Sequence, residues 1–522
     1  LTQESAEISE TITASEIRNL PLNSRAPYAL LALTPGAFGS GNDPSNLDYA
    51  ENVSINGGRR RGNTFVVDGA STTHIGGIAE RIGSIETIQE FKVLASTFTA
   101  EYGRTSGAVI TFQVKSGTRD YHGSLYEFHR NSAVNANEWA NNARGTKRPA
   151  LIRNEFGVTL GGPAPRMNNR LFFFAGYEGV RDSVPNTKTR TIPDPAIRGG
   201  NFSGMPVVVN DPLTNAPFAN NTIPASRLDP AAQKLMALFP SPNTPGIFNP
   251  RFGISTNNWI RIAGRSDNKN FGTMRVDYSP TDKDKFFVTF SHVNEGPRDL
   301  VRDFDNVLNT EIGPRFRNIR RFAFNYTRFL RQNFSGEFQV NMQRDPRVID
   351  PWYPVFDVTT ELGIRNRIGP NLPQVSIAGG YGTYGDSRFQ NWVHQPSSAS
   401  SIFSWLRGRH SIRFGSQLYQ NQFWYIAANQ ISGTYSFNGE ISGRGAAGRA
   451  NPVNALADLL LGAVKTANYP RPQIPVNRVN YNLGLFFNDD WKVTPRLTLN
   501  LGLRYEYQAP YWERNDRAAN FL

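Results

Sequence analysis

The stretch Leu497-Thr498-Leu499-Asn500-Leu501-Gly502-Leu503-Arg504-Tyr505-Glu506-Tyr507 decides the fold. In an extended chain successive side chains point to opposite faces. Leu497, Leu499, Leu501, Leu503, Tyr505 and Tyr507 therefore share one face, and Thr498, Asn500, Gly502, Arg504 and Glu506 share the other. The segment Phe334–Gln343 repeats the pattern, with Phe334, Phe338, Val340 and Met342 against Ser335, Glu337, Gln339, Asn341 and Gln343. So does Arg321–Arg328, where Phe322, Phe324 and Tyr326 oppose Arg321, Asn325 and Thr327. Period-two alternation of this kind marks strands with one apolar face.

Working outward from these, about eleven strand candidates lie near 121–129, 153–160, 170–178, 269–278, 285–294, 318–328, 334–343, 396–405, 411–420, 479–490 and 497–507. Most run about 8–11 residues, the length a tilted strand needs to cross a bilayer. After the first strand the connections alternate long and short. The short ones centre on Gly161–Asn169, Ser279–Asp284, Phe329–Asn333, Leu406–His410 and Lys492–Arg496, while the long ones include the segments near 130–152 and 179–268. Outer-membrane barrels have this asymmetry, with short periplasmic turns and long outer loops. A soluble all-β protein has no reason to keep its two ends so unequal. An odd number of strands does not close a single-chain bacterial barrel, and an unpaired edge is untenable in lipid. The natural protein is therefore expected to continue beyond the last strand.

Composition removes other classes. The absence of Cys among 522 residues excludes a disulfide framework, cysteine-ligated zinc and thiol chemistry. No run approaches a membrane-spanning helix: the longest apolar stretches, Ala29–Leu33 and Leu456–Val464, are too short. The chain begins at Leu1 with no secretory signal, read as cleaved or not included. The net charge of +13 is spread thinly, its sharpest cluster being Arg59-Arg60-Arg61 in a Gly/Asn-rich turn, so nucleic acid is not an expected partner. A basic surface facing solvent or anionic lipid headgroups is the plainer account.

Catalytic signatures are missing as well. The histidines at 74, 122, 129, 292, 394 and 410 form no His-x-x-x-His pair, and there is no Gly-x-Ser-x-Gly elbow or phosphate-binding loop. Asp43 and Asp48 lack the ligand spacing of a calcium loop. Asp489 and Asp490 read as the polar rim of a strand end. The expectation is a non-enzyme with no cofactor and no metal.

Before residue 120 the chain reads as a compact α+β unit: a short helix at Ser15–Leu20 opened by a Ser cap, β-prone pieces at Val53–Asn56, Thr64–Asp68 and Val109–Val114, and a helical turn at Ile85–Lys92 leading into a strand. Here motifs become specific. Asn56-Gly57-Gly58-Arg59 followed by Asn63-Thr64-Phe65-Val66-Val67-Asp68-Gly69 resembles the plug of TonB-dependent receptors. Ile85–Val93 resembles the plug's next element, and Glu101-Tyr102-Gly103-Arg104, running on to Lys115-Ser116-Gly117-Thr118, resembles its closing segment. Leu20–Arg25, Leu33–Gly36 and His122–Phe128 resemble the Oar-like branch of that family, although neither its carboxypeptidase-regulatory-like domain nor a TonB box is recognisable.

The resemblance implies a transmembrane antiparallel β-barrel, about eleven strands of a barrel of about 22, preceded by a small α+β plug that fills the wide lumen. It divides the chain into a plug at 1–118 and the N-terminal part of the barrel, with long extracellular loops, at 119–522. It further implies uptake of a bulky, scarce nutrient (glycan, peptide or siderophore) across the outer membrane of a Gram-negative-type bacterium. The energy would come through the TonB–ExbB–ExbD system, acting on a segment outside this chain. The alternative is a surface protein for adhesion or protein secretion. Asn42, Asp43, Asp48, Tyr49 and His74, in loops flanking the plug strands, are the candidate ligand-binding residues, since they offer mixed donors and acceptors with one aromatic face. The Arg59–Arg61 turn is expected at the opposite, periplasmic end. On the barrel, Phe322, Phe324, Phe338, Val340, Leu499, Leu501 and Leu503 are expected to face lipid, and Asn325, Gln339, Asn500 and Arg504 the lumen.

Overall fold

The structure is a computed structural model that describes residues 8–19, 25, 27–39, 53–73, 82–96, 98–137, 139–143, 147–298, 302–310, 313–350, 356–364, 372–385, 388–428, 432–445, 451–469 and 474–517. Its largest element is an antiparallel wall in which every strand pairs with the next along the chain. In order, the wall strands are His122–Asn131, Ile152–Pro163, Leu171–Arg190, Trp259–Tyr278, Asp284–Arg298, Arg315–Arg331, Phe334–Ile349, Phe389–Arg407, His410–Ala428, Val476–Thr494 and Leu497–Gln508. A short strand, Trp512–Glu513, adds to the tenth. Each candidate strand read from the alternation is present.

Their lengths differ from expectation. Leu171–Arg190 and Trp259–Tyr278 run 20 residues each and stay paired throughout. Crossing a bilayer takes about 9–11 residues, and apolar alternation is needed only over that part. The remainder projects past the membrane toward the long connections with mixed side chains, so the period-two signal ends before the strand does.

The faces fall as expected. Phe322, Phe338, Leu499, Leu501 and Leu503 are exposed on the outer face, Leu503 at 74%. Phe324 and Val340 share that face and are half-buried, Phe324 lying beside the Phe286 ring. The outer face also carries an aromatic row across neighbouring strands, with Phe286 stacked on Tyr326 at 4.5 Å and Phe403 on Phe414 at 5.4 Å. Such rows belong at membrane interfaces. On the other face Asn325 is buried, and Arg504 reaches the carbonyls of Ala100 and Glu101. Asn500, two turns of the pleat from Arg504, bonds to Asp490. Among the described residues no helix is long and apolar enough to cross a membrane.

The N-terminal residues form a five-stranded sheet in the order Ile8–Thr13, Ile88–Ser96, Val109–Val114, Thr64–Val67, Ala70–Ser71. One face packs a core around Phe65, Phe91, Phe112, Leu30 and Leu31, with Tyr28 edge-on to Phe65 at 5.4 Å. The helix Ala14–Asn19 is capped by Thr13, not by a serine: Glu16 N–H donates to Thr13 Oγ1 while Thr13 N–H donates to the Glu16 carboxylate. This reciprocal pair satisfies two helix-end groups together. The turn at Ile85–Thr87, capped by Ser84, leads directly into Ile88–Ser96.

The long connections hold a third body with its own core. Phe202, Phe304, Tyr384, Val453, Leu456 and Leu460, drawn from separate connections, bury one another. The helix Pro452–Leu460, capped by Asn451, is buried along its whole length. Strand Gln374–Ile377 pairs with Gly382–Tyr384 on one side and, in parallel, with Thr434–Phe437 on the other. Of the two apolar runs too short to span a membrane, Leu456–Val464 begins within the helix Pro452–Leu460, and Ala29–Leu33 lies in the turn Pro27–Leu33 of the N-terminal unit.

Candidate functional site

The small sheet is tied to the inner face of the wall from the first wall strand to the last. On the first three strands, Ser84 Oγ donates to Glu178 Oε2 at 2.7 Å and the Tyr126 hydroxyl donates to the same oxygen at 2.8 Å. Arg25 pairs with Glu86 of the small unit, lies 3.7 Å from Glu155 of the wall, and stands 4.0 Å over the Phe128 ring. On the fourth and fifth strands Asp68 is the anchor. Its carboxylate accepts from Thr289 Oγ1 at 2.8 Å and from Val114 N–H at 3.0 Å, with Arg275 3.4 Å away. Burial pushes the Asp68 carboxyl up, against the opposing pull of Arg275 and the two hydrogen bonds. On the last three strands Arg413 pairs with Glu101 at 3.0 Å, Asn488 Oδ1 accepts from Ala100 N–H at 2.9 Å, and Arg504 donates to the Ala100 and Glu101 carbonyls. A compact unit touched by both ends of one sheet requires that sheet to curve around it.

Gly69 shows how close the approach is. Its φ of +82° already favours glycine, and a Cβ there would stand 2.3 Å from Gln339 Oε1 on the seventh wall strand. At the other end of the unit, Arg104 stacks over the Tyr419 ring at 5.0 Å. Between these contacts lies a cavity of about 850 Å³, bounded by the second face of the small sheet and by the fourth to ninth wall strands.

Asn42, Asp43, Asp48, Tyr49 and His74 lie outside the described residues. The Arg59–Arg61 turn is described, and its expected position is corrected. Gly117 packs against the carbonyls of Gly162 and Phe173, next to a short turn, so Val109–Val114 runs toward the short-turn end. Thr64–Val67 runs parallel to it. The arginine turn, which precedes Thr64, therefore stands at the end nearer the long connections. Counting strands along the chain gave no direction; the parallel pairing with a later strand does.

Sequence reasoning also missed the wall side of the seam, namely Glu178, Arg275, Thr289, Arg413 and Asn488. A signal existed, since each sits on the polar face of an alternating strand. Alternation names a face, however, and not the partner across the lumen.

With this geometry in view, the comparisons are concordant. The family model described as outer membrane beta barrel domain matches residues 113–522, and the chain belongs to that family. It is an outer-membrane protein. A curated relative, the TonB-dependent transporter Oar of Myxococcus xanthus, is 30% identical over 171 residues, 32% of this chain and 15% of that protein. Among solved structures, the outer membrane transporter YddB from Escherichia coli superposes with a TM-score of 0.55 at 13% identity, covering 97% of this chain and 57% of its own. The unliganded ferric citrate transporter FecA gives 0.53 at 11% identity, over 98% and 58%. These proteins are transporters, not enzymes, and the chain spans little more than half the length of the two solved structures.

Proposed function

We propose that the protein is a TonB-dependent transporter in which residues 1–118 form the plug and residues 119–522 form the wall with its extracellular connections. The observation that carries this reading is the seam. A folded unit tied by polar groups to the lumen face blocks a wide barrel, yet it is held by hydrogen bonds and ion pairs, with its apolar core kept to itself. Such an interface opens without unfolding the wall, which is what a mechanically gated pore requires. Partner proteins of the TonB–ExbB–ExbD kind supply the work from the inner-membrane proton gradient. The likeness to Oar over 171 residues supports the same reading. Cargo is first met by Asn42, Asp43, Asp48, Tyr49 and His74. The Arg59–Arg61 turn, which stands at the long-connection end, is a further candidate.

The test is growth of the native host on a panel of single scarce nutrients, with this gene or TonB deleted. The reading expects one nutrient whose uptake is lost equally in both strains. Loss of surface attachment or of a secreted protein, with all nutrients still taken up, would instead support the adhesion or secretion role.

A further inference from the structure

We propose that Arg320 and Arg344, on the outer face of the wall, clamp the phosphate of an anionic lipid headgroup; this goes beyond the transport reading and does not depend on it. The two residues are direct cross-strand partners on the sixth and seventh wall strands, and both are exposed. Directly opposed positions bring Cβ atoms to about 5 Å, where like charges destabilise the pair. Neither arginine has a carboxylate partner among the described residues. The same row continues to His292 on the fifth strand, the register partner of Arg320 on its other side. His292 Nε2 and Asn318 Oδ1 stand 2.9 Å apart, which fixes the ring beside the pair.

Position says what such a pair meets. On the short-turn side of the row the outer face is apolar: Phe290, Phe322 and Met342, two residues along each strand, are all exposed. Arg328 lies at the far end of that apolar stretch, eight residues from Arg320. Eight residues span about 27 Å along a strand, or about 21 Å of depth at the ~40° tilt of membrane barrels, close to the height of their apolar band. The two arginines of the sixth strand therefore mark the two edges of the band, and their surroundings differ. Arg328, at the short-turn edge, is neutralised by Asp284 at 3.2 Å. Arg320, at the long-connection edge, meets a second arginine instead. Across the outward positions of the fifth to seventh strands, Asp284 is the only carboxylate among the described residues. A phosphate resolves the repulsion, because each guanidinium forks onto its oxygens with charge-assisted hydrogen bonds. A lipid of the outer leaflet supplies that phosphate at this depth, with its acyl chains along Phe322 and Met342. A free phosphate ion lacks those chains, and a zwitterionic lipid brings a cation of its own into the row.

The experiment takes the protein purified from outer membranes and delipidated in a neutral detergent, and counts bound lipid by native mass spectrometry. The probes are dioleoyl phosphatidic acid and dioleoyl phosphatidylcholine, which share their chains, with inorganic phosphate as competitor. We expect phosphatidic acid to bind about tenfold more tightly than phosphatidylcholine, and Arg320→Gln and Arg344→Gln each to weaken it by about tenfold, the order of one lost charge-assisted contact. Arg328→Gln, which removes a charge already met by Asp284, should leave the affinity unchanged. Heat-modifiable migration on gels checks that each variant is folded. Equal binding of the two lipids, or a loss in Arg328→Gln as large as in Arg320→Gln, overturns the proposal. Displacement of phosphatidic acid by inorganic phosphate at comparable concentration marks a free-anion site and overturns the lipid assignment.

Discussion

In the wall, a residue's partner follows from hairpin register: Leu171–Arg190 meets Trp259–Tyr278 position by position. In the body above it, Tyr384 donates its hydroxyl to the Thr191 carbonyl, 193 residues away, and to the Tyr381 carbonyl. The two regions alternate along the chain, yet they draw stability from different sources. The wall buries few side chains of its own on the lipid side and is held by its ladder of backbone hydrogen bonds, which lipid makes obligatory. The outer body is an ordinary water-side core of aromatic and aliphatic groups, such as Trp259 stacked on Phe304 at 4.8 Å. One is a sheet that needs its solvent to be lipid; the other needs water to drive it together.

This contrast can be broken most sharply in the outer body. Leu456 is fully buried in the helix Pro452–Leu460, and Leu456→Ala is expected to cost about 2–5 kcal/mol. Limited proteolysis of the folded protein should then cut the long connections, while the wall keeps its heat-modifiable migration. Loss of the wall together with the body would mean the two are one cooperative unit. The complementary change is Leu501→Arg, on the lipid face of the last wall strand. Near mid-membrane it should cost about 2–4 kcal/mol in urea titrations in lipid vesicles, with the outer body's protease resistance intact. An effect near zero would mean that this face does not meet lipid.

How much of this was legible follows from the same contrast. Strands of the wall announce themselves because lipid on one side and lumen on the other impose a period of two, visible even in single stretches such as Leu497–Tyr507. The same alternation placed Phe322 outside and Asn325 inside. Nothing periodic marks the outer body. Its elements are short, its helix Pro230–Ala237 is only partly apolar, and Phe202, Phe304 and Leu456 come together only in three dimensions. Of the site, the sequence disclosed the Asp68-Gly69 turn but not its partner Thr289, 221 residues later. The direction of the Arg59–Arg61 turn was misread because it depends on the parallel pairing of Thr64–Val67 with Val109–Val114, a long-range fact.

A smaller effect sharpens the comparison through pH. Asp458 is fully buried in the outer body, where burial pushes its carboxyl up despite hydrogen bonds from Ser442 and Ile441. A carboxyl whose folded pKa is raised binds its proton more tightly folded than unfolded. Its contribution is therefore greatest at acid pH and declines as pH rises from the ordinary carboxylate value through the raised one. Protease resistance of the long connections should fall over that window in the native protein. In Asp458→Asn the dependence should flatten, whereas urea resistance of the wall should show none of it in either protein.

The central claim is that the small sheet sits within the curve of the wall, fastened through Asp68. With no native cysteine to interfere, Asp68→Cys combined with Thr289→Cys in intact outer membranes tests it with a short thiol-bridging reagent such as dibromobimane. The account predicts rapid formation of the fluorescent bridged product at this pair, because the two side chains are in hydrogen-bond contact at 2.8 Å. It predicts none when Leu501→Cys, on the lipid face, replaces the Thr289 partner. Bridging to Leu501→Cys with none to Thr289→Cys would place the unit outside the wall and contradict the account.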